Sequence, residues 1–329
     1  MSPIDPSAPR TAGPGPLAVV RDDVVQPFQL ETARVRGRFV RLGGVLDSIL
    51  APHGYPAEVA ALLAESITMA SALASGLKYD GIFTLQTRGD GPVPTMVTDV
   101  TSGGGLRGYA RFDATKLNNA TRASHSPVPR LLGAGHMAFT VDQGPDTERY
   151  QGITELTGAT LADCAHNYFR RSEQLETAFM LFAEARADAS GVATGARGGA
   201  LMLQHLPTDS PSGSAESHGR DEDEDEAWRR AVILMSTLST GEMLDPSLAP
   251  TDILYRLFHQ EGLRVHPPKR LVRECRCSRQ KVTDTLRMIP RREIAEMSDD
   301  GLVTVTCEFC KSDYVFNDAQ MDAVYAESP

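Results

Sequence analysis

Residues 82–111 read IFTLQTRGDGPVPTMVTDVTSGGGLRGYAR, and this stretch decides the fold class. Three runs of β-prone residues alternate with two Gly-rich turn signals. The runs are 82–86, 93–100 and 106–111, and the turns are 89–92 and 102–105. Because short turns join strands that run in opposite directions, the stretch predicts three strands of an antiparallel sheet.

Further strands and helices are expected on both sides of this stretch. Residues 136–141, 150–153 and 200–204 also favour strands, whereas 59–77 and 161–174 have the composition or spacing of helices. Since strands and helices are grouped rather than strictly alternating, the pattern predicts an α+β fold. We assign an N-terminal core domain, an antiparallel sheet with flanking helices, to residues 23–207.

The composition is that of a globular protein. Of the 329 residues, 41% are hydrophobic and 23% are charged, and the length suits about two units. The formal net charge of −10 argues against a general attraction of the whole chain to nucleic acid or to a membrane surface. Residues 1–22 contain five prolines and few apolar residues, which predicts a disordered tail.

No secretory signal is recognisable at the start of the chain, so we expect a cytoplasmic protein. The most apolar stretch, residues 59–77, has the length of a membrane span. However, Glu65 interrupts it, and Ala and Ser dominate its composition, which favours a buried core helix. We therefore expect no membrane partner.

The composition changes sharply at residue 208. Residues 208–226 are rich in Ser, Gly and Pro and end in six consecutive acidic residues, which predicts a solvated, disordered insert. Helical spacing returns around Trp228 and again at 251–258. We predict that residues 208–272 form this acidic insert and a linker of short helices, whose stability depends on packing. The acidic run could pair with the basic segment 264–292, although a solvated spacer is its expected role.

Four of the five cysteines lie near the C-terminal end, in the pairs Cys275-Arg276-Cys277 and Cys307-Glu308-Phe309-Cys310. Thiolates are ligands that zinc prefers, and four of them fill a tetrahedral site with no open position for catalysis. The spacing therefore predicts one structural Zn²⁺ in a small C-terminal module, residues 273–329. At about this length a domain core is marginal without a metal or another cross-link.

Basic residues crowd the first cysteine pair. Residues 264–292 contain ten Lys or Arg residues and two carboxylates. Positive neighbours and a bound metal favour the thiolate, the form that oxidants attack. The site is therefore also a candidate redox switch, because oxidation would remove the ligands and the folding energy that the metal supplies. The fifth cysteine, Cys164, lies in an apolar helical stretch and is expected to be buried and inert.

Several further motifs, together with the cysteine spacing, resemble the heat-shock protein 33 family of redox-regulated holdase chaperones. The resemblance covers residues 24–318. In chain order the matching motifs are 77–81 (LKYDG), 86–92 (QTRGDGP), 150–152 (YQG), 168–177 (YFRRSEQLET), 254–259 (LYRLFH), 275–279 (CRCSR) and 307–310 (CEFC) followed by 314–316 (YVF).

The resemblance implies a specific mode of regulation. In the reduced state Zn²⁺ would be held by all four clustered cysteines, Cys275, Cys277, Cys307 and Cys310, in an inactive monomer. Oxidation by peroxide or hypochlorous acid would form the disulfides Cys275–Cys277 and Cys307–Cys310 and release the zinc. The linker would then unfold and expose apolar surface. The protein would dimerise and bind unfolding client proteins without ATP, and it would not be an enzyme.

Two other classes of function stay open at this point. A zinc-ribbon nucleic-acid-binding protein is favoured by the basic segment 264–292, but the acidic chain and the lack of interleaved aromatic residues argue against it. A thiol oxidoreductase would use the spacing of Cys307 and Cys310, but such pairs usually open a helix in a βαβ unit, which the pattern does not predict. The sequence contains no metalloprotease, phosphate-loop or nucleophile-elbow motif.

Overall fold

The computed structural model of the chain describes residues 21–119, 126–144, 147–170, 176–206 and 215–326. Most of the predicted tail, and the first part of the predicted insert, lie outside these ranges. The described residues form two six-stranded sheets, one two-stranded sheet and ten α-helices. The predicted α+β class, with antiparallel sheets and a C-terminal cysteine cluster, is confirmed.

The first sheet brings together strands from both ends of the described chain. Its strands are β1 (Val24–Leu30), β2 (Val35–Leu42), β8 (Thr177–Ala187), β9 (Ala193–His205), β10 (Leu263–Val265) and β11 (Lys269–Arg270). They lie in the order β10–β1–β2–β9–β8, with β11 also paired to β1, and all pairings are antiparallel. Of these strands, only part of β9 was predicted from the sequence.

The second sheet contains the stretch that decided the fold class. Its strands are β3 (Ile82–Gly89), β4 (Thr95–Thr101), β5 (Gly105–Arg111), β6 (Gly135–Asp142), β7 (Tyr150–Glu155) and β12 (Val272–Arg273). Their order is β12–β5–β4–β3–β6–β7. The pairs predicted from the turn signals are antiparallel, whereas β12 lies parallel to β5. The short strands β10 to β12 therefore tie the segment before the first cysteine to both sheets.

The helices flank these sheets. They are α1 (Gly44–Leu50), α2 (Ala57–Gly76), α3 (Ala114–Asn119), α4 (Leu161–Tyr168), α5 (Ala215–Ser236), α6 (Thr240–Leu244), α7 (Pro250–Phe258), α8 (Arg279–Arg287), α9 (Arg291–Glu296) and α10 (Asp318–Ala326). The two-stranded sheet, β13 (Leu302–Thr306) with β14 (Asp313–Asn317), lies between α9 and α10 in the chain.

Helix α2 is the buried helix predicted from the apolar run. It packs against β8 and β9 of the first sheet and against β4 and β5 of the second. By length and composition it is the one described helix that could cross a membrane, but 78% of its apolar window is buried within the fold. Its polar side chains are satisfied internally, since Thr68 donates to the carbonyl of Ala64 and Ser71 to that of Ile67. Such a helix is typical of a protein core.

The acidic insert differs from the prediction. Residues 221–226 lie within α5, so at least this part of the insert is helical rather than disordered. Glu224 pairs with Arg34, in the turn between β1 and β2, at 3.6 Å. The apolar residues Ala231 and Met235 of the same helix are buried against the first sheet. The packing of these apolar residues therefore stabilises helix α5, although the acidic composition of its first half predicts a solvated, disordered segment.

Helices α5, α6 and α7 cover one face of the first sheet, and we call this contact the sheet–linker interface. The rings of Phe28 in β1 and Phe258 in α7 are both fully buried and stack with their centroids 5.7 Å apart. The other buried apolar members are Leu30, Ala33, Val35, Phe39, Leu201, Leu203, Ala227, Ala231, Met235, Leu238, Met243, Leu244, Ile253, Leu254 and Leu257. The first sheet is therefore buried on this face by the linker helices and on the other by α2.

The C-terminal elements α8 to α10 and β13–β14 have a small core of their own. Its buried members are Leu286, Ile294, Val303, Phe316, Met321 and Val324. So few buried side chains give little hydrophobic stabilisation, which is the usual situation of a module that depends on a cross-link or a metal.

Candidate metal centre

One cysteine pair is carried by the turn between β13 and β14. Cys307 directly follows β13, and Cys310 lies three residues before β14. The amide of Lys311 donates to the carbonyl of Cys307 at 2.8 Å, and the amide of Cys307 donates to the carbonyl of Ser312 at 2.9 Å. Lys311 has a left-handed φ of 57°, which tightens the turn. The two thiols consequently lie on the same side of the hairpin end.

The other pair lies immediately before α8. Cys275 and Cys277 are two residues apart in a segment without regular structure, and in extended chain such residues face the same side. Ser278 then caps α8 by accepting a hydrogen bond from the amide of Lys281 at 3.2 Å. Because the helix begins directly after Cys277, this pair is placed at the edge of the C-terminal module.

The four sulfur atoms form one cluster. All lie within 4.8 Å of one another. The Sγ–Sγ distances are 3.3 Å for Cys275–Cys277, 3.8 Å for Cys275–Cys307 and 3.4 Å for Cys277–Cys310. Zinc–sulfur bonds of about 2.3 Å in a regular tetrahedron place neighbouring sulfurs about 3.8 Å apart. A disulfide has a sulfur–sulfur bond of about 2.05 Å, so these are four free thiols whose spacing fits a tetrahedral metal ion.

The electrostatics of the cluster also fit a cation. Burial raises the pKa of Cys277 to about 12, and it also raises the pKa of Cys307. Burial acts in the same direction on Cys310, but hydrogen bonds with Ser312 and with the neighbouring thiols lower its pKa to about 6. Adjacent thiols cannot all ionise without a positive charge between them, and a metal ion supplies that charge and holds all four as thiolates.

Both cysteine pairs contact the core through the residues that lie between the cysteines. The ring of Phe309 meets Tyr109 of β5 edge-on, with centroids 4.8 Å apart. The guanidinium of Arg107, also in β5, lies 3.8 Å from the centroid of the same ring. In the first pair, Arg276 makes an ion pair with the buried carboxylate of Asp99 in β4. The cluster therefore lies at a contact between the module and the second sheet.

Further polar contacts extend this docking surface. His53 Nε2 lies 3.1 Å from the carbonyl oxygen of Phe309. The amide of Glu274 donates to the carbonyl of Leu106 at 2.8 Å and continues the pairing of β12 with β5. These contacts were not predicted. The one signal for them in the sequence is Phe309, since an aromatic residue in a polar turn indicates a partner surface, whereas no local pattern marks His53.

The remaining cysteine and the basic segment have other roles. Cys164 is fully buried in α4, and burial raises the pKa of its thiol to about 11, so the predicted buried thiol is confirmed. Among the described residues, at least four of the ten basic residues in 264–292 pair with carboxylates, in the ion pairs Arg264–Glu31, Arg276–Asp99, Arg287–Asp284 and Arg291–Asp322. These pairs reduce the positive charge that a phosphate backbone would meet.

Comparison with known proteins agrees with this arrangement. The family model described as Hsp33 protein matches residues 23–317. The chain belongs to the Hsp33 family. Two similar Hsp33 relatives are the 33 kDa chaperonins of Caulobacter vibrioides strain NA1000 and Nitrosococcus oceani. The first is 40% identical over 297 residues, which cover 90% of this chain and 95% of the relative. The second is 34% identical over 306 residues, which cover 93% and 95%.

A solved structure shows the same fold. The 33 kDa chaperonin of Thermotoga maritima, described as a heat shock protein 33 homolog, superposes with a TM-score of 0.75 at 20% sequence identity. The match covers 92% of this chain and 98% of that chain. The resemblance drawn from the motifs is therefore confirmed. The chain is a member of the Hsp33 family of chaperones, and its four clustered cysteines could hold a metal ion.

Proposed function

We propose that this protein is a redox-regulated, ATP-independent holdase chaperone. In the reduced state Cys275, Cys277, Cys307 and Cys310 bind one Zn²⁺, which stabilises the C-terminal module against the core. The choice of zinc rests on the four-thiolate ligand set, which suits this metal, and on the tetrahedral spacing of the sulfurs. Zinc supplies folding energy to a module whose own core is small.

Oxidation reverses this stabilisation. Each disulfide forms when two thiolates give two electrons to one molecule of peroxide, which takes up two protons and leaves as two molecules of water. Following the family resemblance, we propose the pairs Cys275–Cys277 and Cys307–Cys310. The sulfur–sulfur contacts of 3.3 and 3.4 Å allow more than one pairing, so peptide mapping of the oxidised protein is the test of this point. Disulfides no longer coordinate the metal, and the folding energy from zinc is lost.

The observation that carries the proposal is the sheet–linker interface. One face of the first sheet is an apolar surface, and within the described part of the chain the short helices α6 and α7 and one half of α5 cover it. The chain runs from α7 through β10, β11 and β12 directly to Cys275, so the linker and the cysteine cluster are held against the core in series. Release of the module removes one end of this restraint and destabilises the linker.

The exposed face of the first sheet is then the proposed surface for clients. A large contiguous apolar surface binds unfolded chains, which expose apolar side chains of their own. We propose that the oxidised protein dimerises through the same surface, and that the reduced protein is a monomer. We propose a cytoplasmic location, where thiols stay reduced until oxidative stress. The proposed role is binding rather than catalysis, and neither a membrane nor nucleic acid is a proposed partner.

The division of labour along the chain follows from this scheme. We propose residues 23–207 as the chaperone core, 208–272 as the redox-sensitive linker and 273–329 as the zinc-binding module. In this division the acidic run 221–226 belongs to the linker. Its ion pair between Glu224 and Arg34 connects the linker to the turn between β1 and β2 of the core.

The test compares reduced, zinc-loaded protein with peroxide-oxidised protein in the suppression of client aggregation, followed by light scattering without ATP. We expect the oxidised protein to suppress aggregation and the reduced protein to be inactive. A variant with Ser at all four clustered cysteines is the control, and its activity should not respond to peroxide. Equal activity of the reduced and oxidised wild-type protein, or a requirement for ATP, would contradict the proposal.

A further inference from the structure

Asp99 is a buried carboxylate at the contact between the second sheet and the C-terminal module. It lies on β4 and is 4% exposed. One carboxylate oxygen accepts a hydrogen bond from Thr84 Oγ1 at 2.6 Å. The other accepts from Arg107 Nε at 2.7 Å and from Arg276 Nη2. A single carboxylate oxygen thus holds two guanidinium groups, one from the core and one from the module.

These two arginines lead to the two cysteine pairs. Arg276 lies between the cysteines of the first pair. Arg107 stacks on the ring of Phe309, which lies between the cysteines of the second pair. Asp99 is therefore connected to both cysteine pairs. It binds Arg276 of the first pair directly, and it binds Arg107, which stacks on Phe309 of the second pair.

Asp99 is the carboxylate that the two arginines share at this contact. Among the described residues, it forms ion pairs with both Arg107 and Arg276, whereas the interaction of Arg276 with Asp142 is only electrostatic. The Nε atom of Arg276 is buried and has no hydrogen-bond partner, so the ion pair with Asp99 is the close polar contact that holds this guanidinium. Without the carboxylate, two like charges would face each other in a largely desolvated contact.

We propose that Asp99 is the positioning residue that docks both cysteine pairs on the core and thereby sets how much oxidant is needed to open the module. Three of the four thiols are half-buried in the docked state and Cys310 is buried, so separation of Arg276 and Phe309 from β4 and β5 would expose the cluster further to oxidant. The statement about oxidant rests on the proposed redox function, whereas the statement about docking does not.

The test uses full-length, reduced, zinc-loaded protein and the variants D99N and R276Q. D99N keeps the shape of the side chain and removes its charge. R276Q breaks the same ion pair from the module side and leaves the core intact. The matched control is R111Q, which removes an exposed ion pair of 3.2 Å, with Glu308, across the same contact. Amide hydrogen exchange of residues 272–277 and 307–311 reports docking, and a zinc-sensitive dye reports zinc release by peroxide.

We expect D99N and R276Q each to speed exchange in both segments and zinc release at least about tenfold, because loss of one partner of a buried, hydrogen-bonded charge pair acts mainly on dissociation. R111Q should change either rate by less than about fivefold, because exposed pairs contribute little. The double variant D99N/R276Q should be no faster than the faster single variant, since both remove one ion pair.

Wild-type exchange rates in R276Q, or additive effects in the double variant, would overturn the proposal. If D99N only weakens the core, exchange rises throughout β3 to β5 while R276Q stays like the wild type, which also overturns it. Exchange is measured without oxidant, so a protein that docks through Asp99 but does not respond to peroxide would contradict the proposed function and leave this docking role standing.

Discussion

Replacing Phe258 by Ala should open the sheet–linker interface without any oxidant. The Phe258 side chain is fully buried near the end of α7, and its ring stacks on Phe28 of β1. Helix α7 has only nine residues, so packing rather than helix propensity holds it in place. Loss of this ring therefore acts directly on the restraint that covers the apolar face of the first sheet.

The size of the effect follows from the buried area. A buried aromatic side chain removes about 150–250 Å² from water, which corresponds to about 4–6 kcal/mol at ~25 cal/mol per Å². Phe-to-Ala substitutions in cores cost about 3–5 kcal/mol. Even the lower value of about 3 kcal/mol shifts the ratio of docked to undocked linker about a hundredfold. If the docked linker is only slightly more stable than the undocked linker before oxidation, this change is enough to undock it.

The assay can use the single tryptophan of the chain. Trp228 lies in α5, is packed against the sheet–linker interface, and stacks on His205 with ring centroids 5.6 Å apart. We expect the emission of Trp228 in reduced F258A to shift to longer wavelength, as in the oxidised wild-type protein. The same sample should suppress client aggregation while it still carries zinc, because the restraint is broken downstream of the metal site.

The matched control is Tyr255→Ala, which removes an aromatic side chain from the same helix at a position that is 65% exposed. This variant should behave like the wild type in both assays. If reduced F258A, with native far-UV circular dichroism, kept the wild-type emission and did not suppress aggregation, Phe258 would not hold the linker on the sheet. Equal activation by Y255A would also contradict this role of Phe258, because any disturbance of α7 would then suffice.

Three further changes test separate parts of the account. Ser at all four clustered cysteines should abolish metal binding and make residues 273–326 sensitive to protease, and a protease-resistant, metal-free module would contradict the role of the metal. Cys164→Ser should leave zinc content and the peroxide response unchanged, since that thiol is buried and burial raises its pKa to about 11; a lost response would make it part of the redox site. Burial raises the pKa of Glu65 in α2 from 4.5 to about 7. Ionisation of Glu65 therefore lowers the free energy of unfolding, and this loss is absent below pH 4.5 and complete above about pH 7. Glu65→Gln should therefore raise the free energy of unfolding by up to about 3 kcal/mol at pH 8 and by little at pH 4.5, measured with denaturant, and a gain independent of pH would contradict the assignment.

The second sheet could be predicted from the sequence because its strands are joined by short turns with clear Gly and Pro signals. Most of the first sheet could not. Strand β8 is rich in Ala, Met, Leu, Glu and Arg, which favour helices, and it becomes a strand because it pairs with β9 along its whole length. Pro27 argues against a central strand, yet it lies inside β1. It is accommodated because β10 and β11 are separated at residues 266–268, beside this proline.

The proximity of the four cysteines could be predicted, and the docking of their cluster on the core could not. Cysteine spacing alone indicates a four-sulfur site, because the two pairs are local in the chain and thiolates have a strong preference for zinc. The partners Asp99 and Arg107 are about 170 residues or more away from the cysteines, and nothing near them in the sequence marks a contact. The acidic half of α5 was wrongly predicted to be disordered because composition does not report the packing of Ala231 and Met235.

The cysteine cluster is proposed to control exposure of the apolar face of the first sheet. The most direct measurement follows zinc release and the emission of Trp228 in one sample after peroxide is added to reduced protein. We expect zinc release to precede or accompany the change in emission, and we expect a thiol reductant with zinc to reverse both. A change in emission while zinc stays bound, or complete zinc loss with unchanged emission, would contradict this control by the cluster.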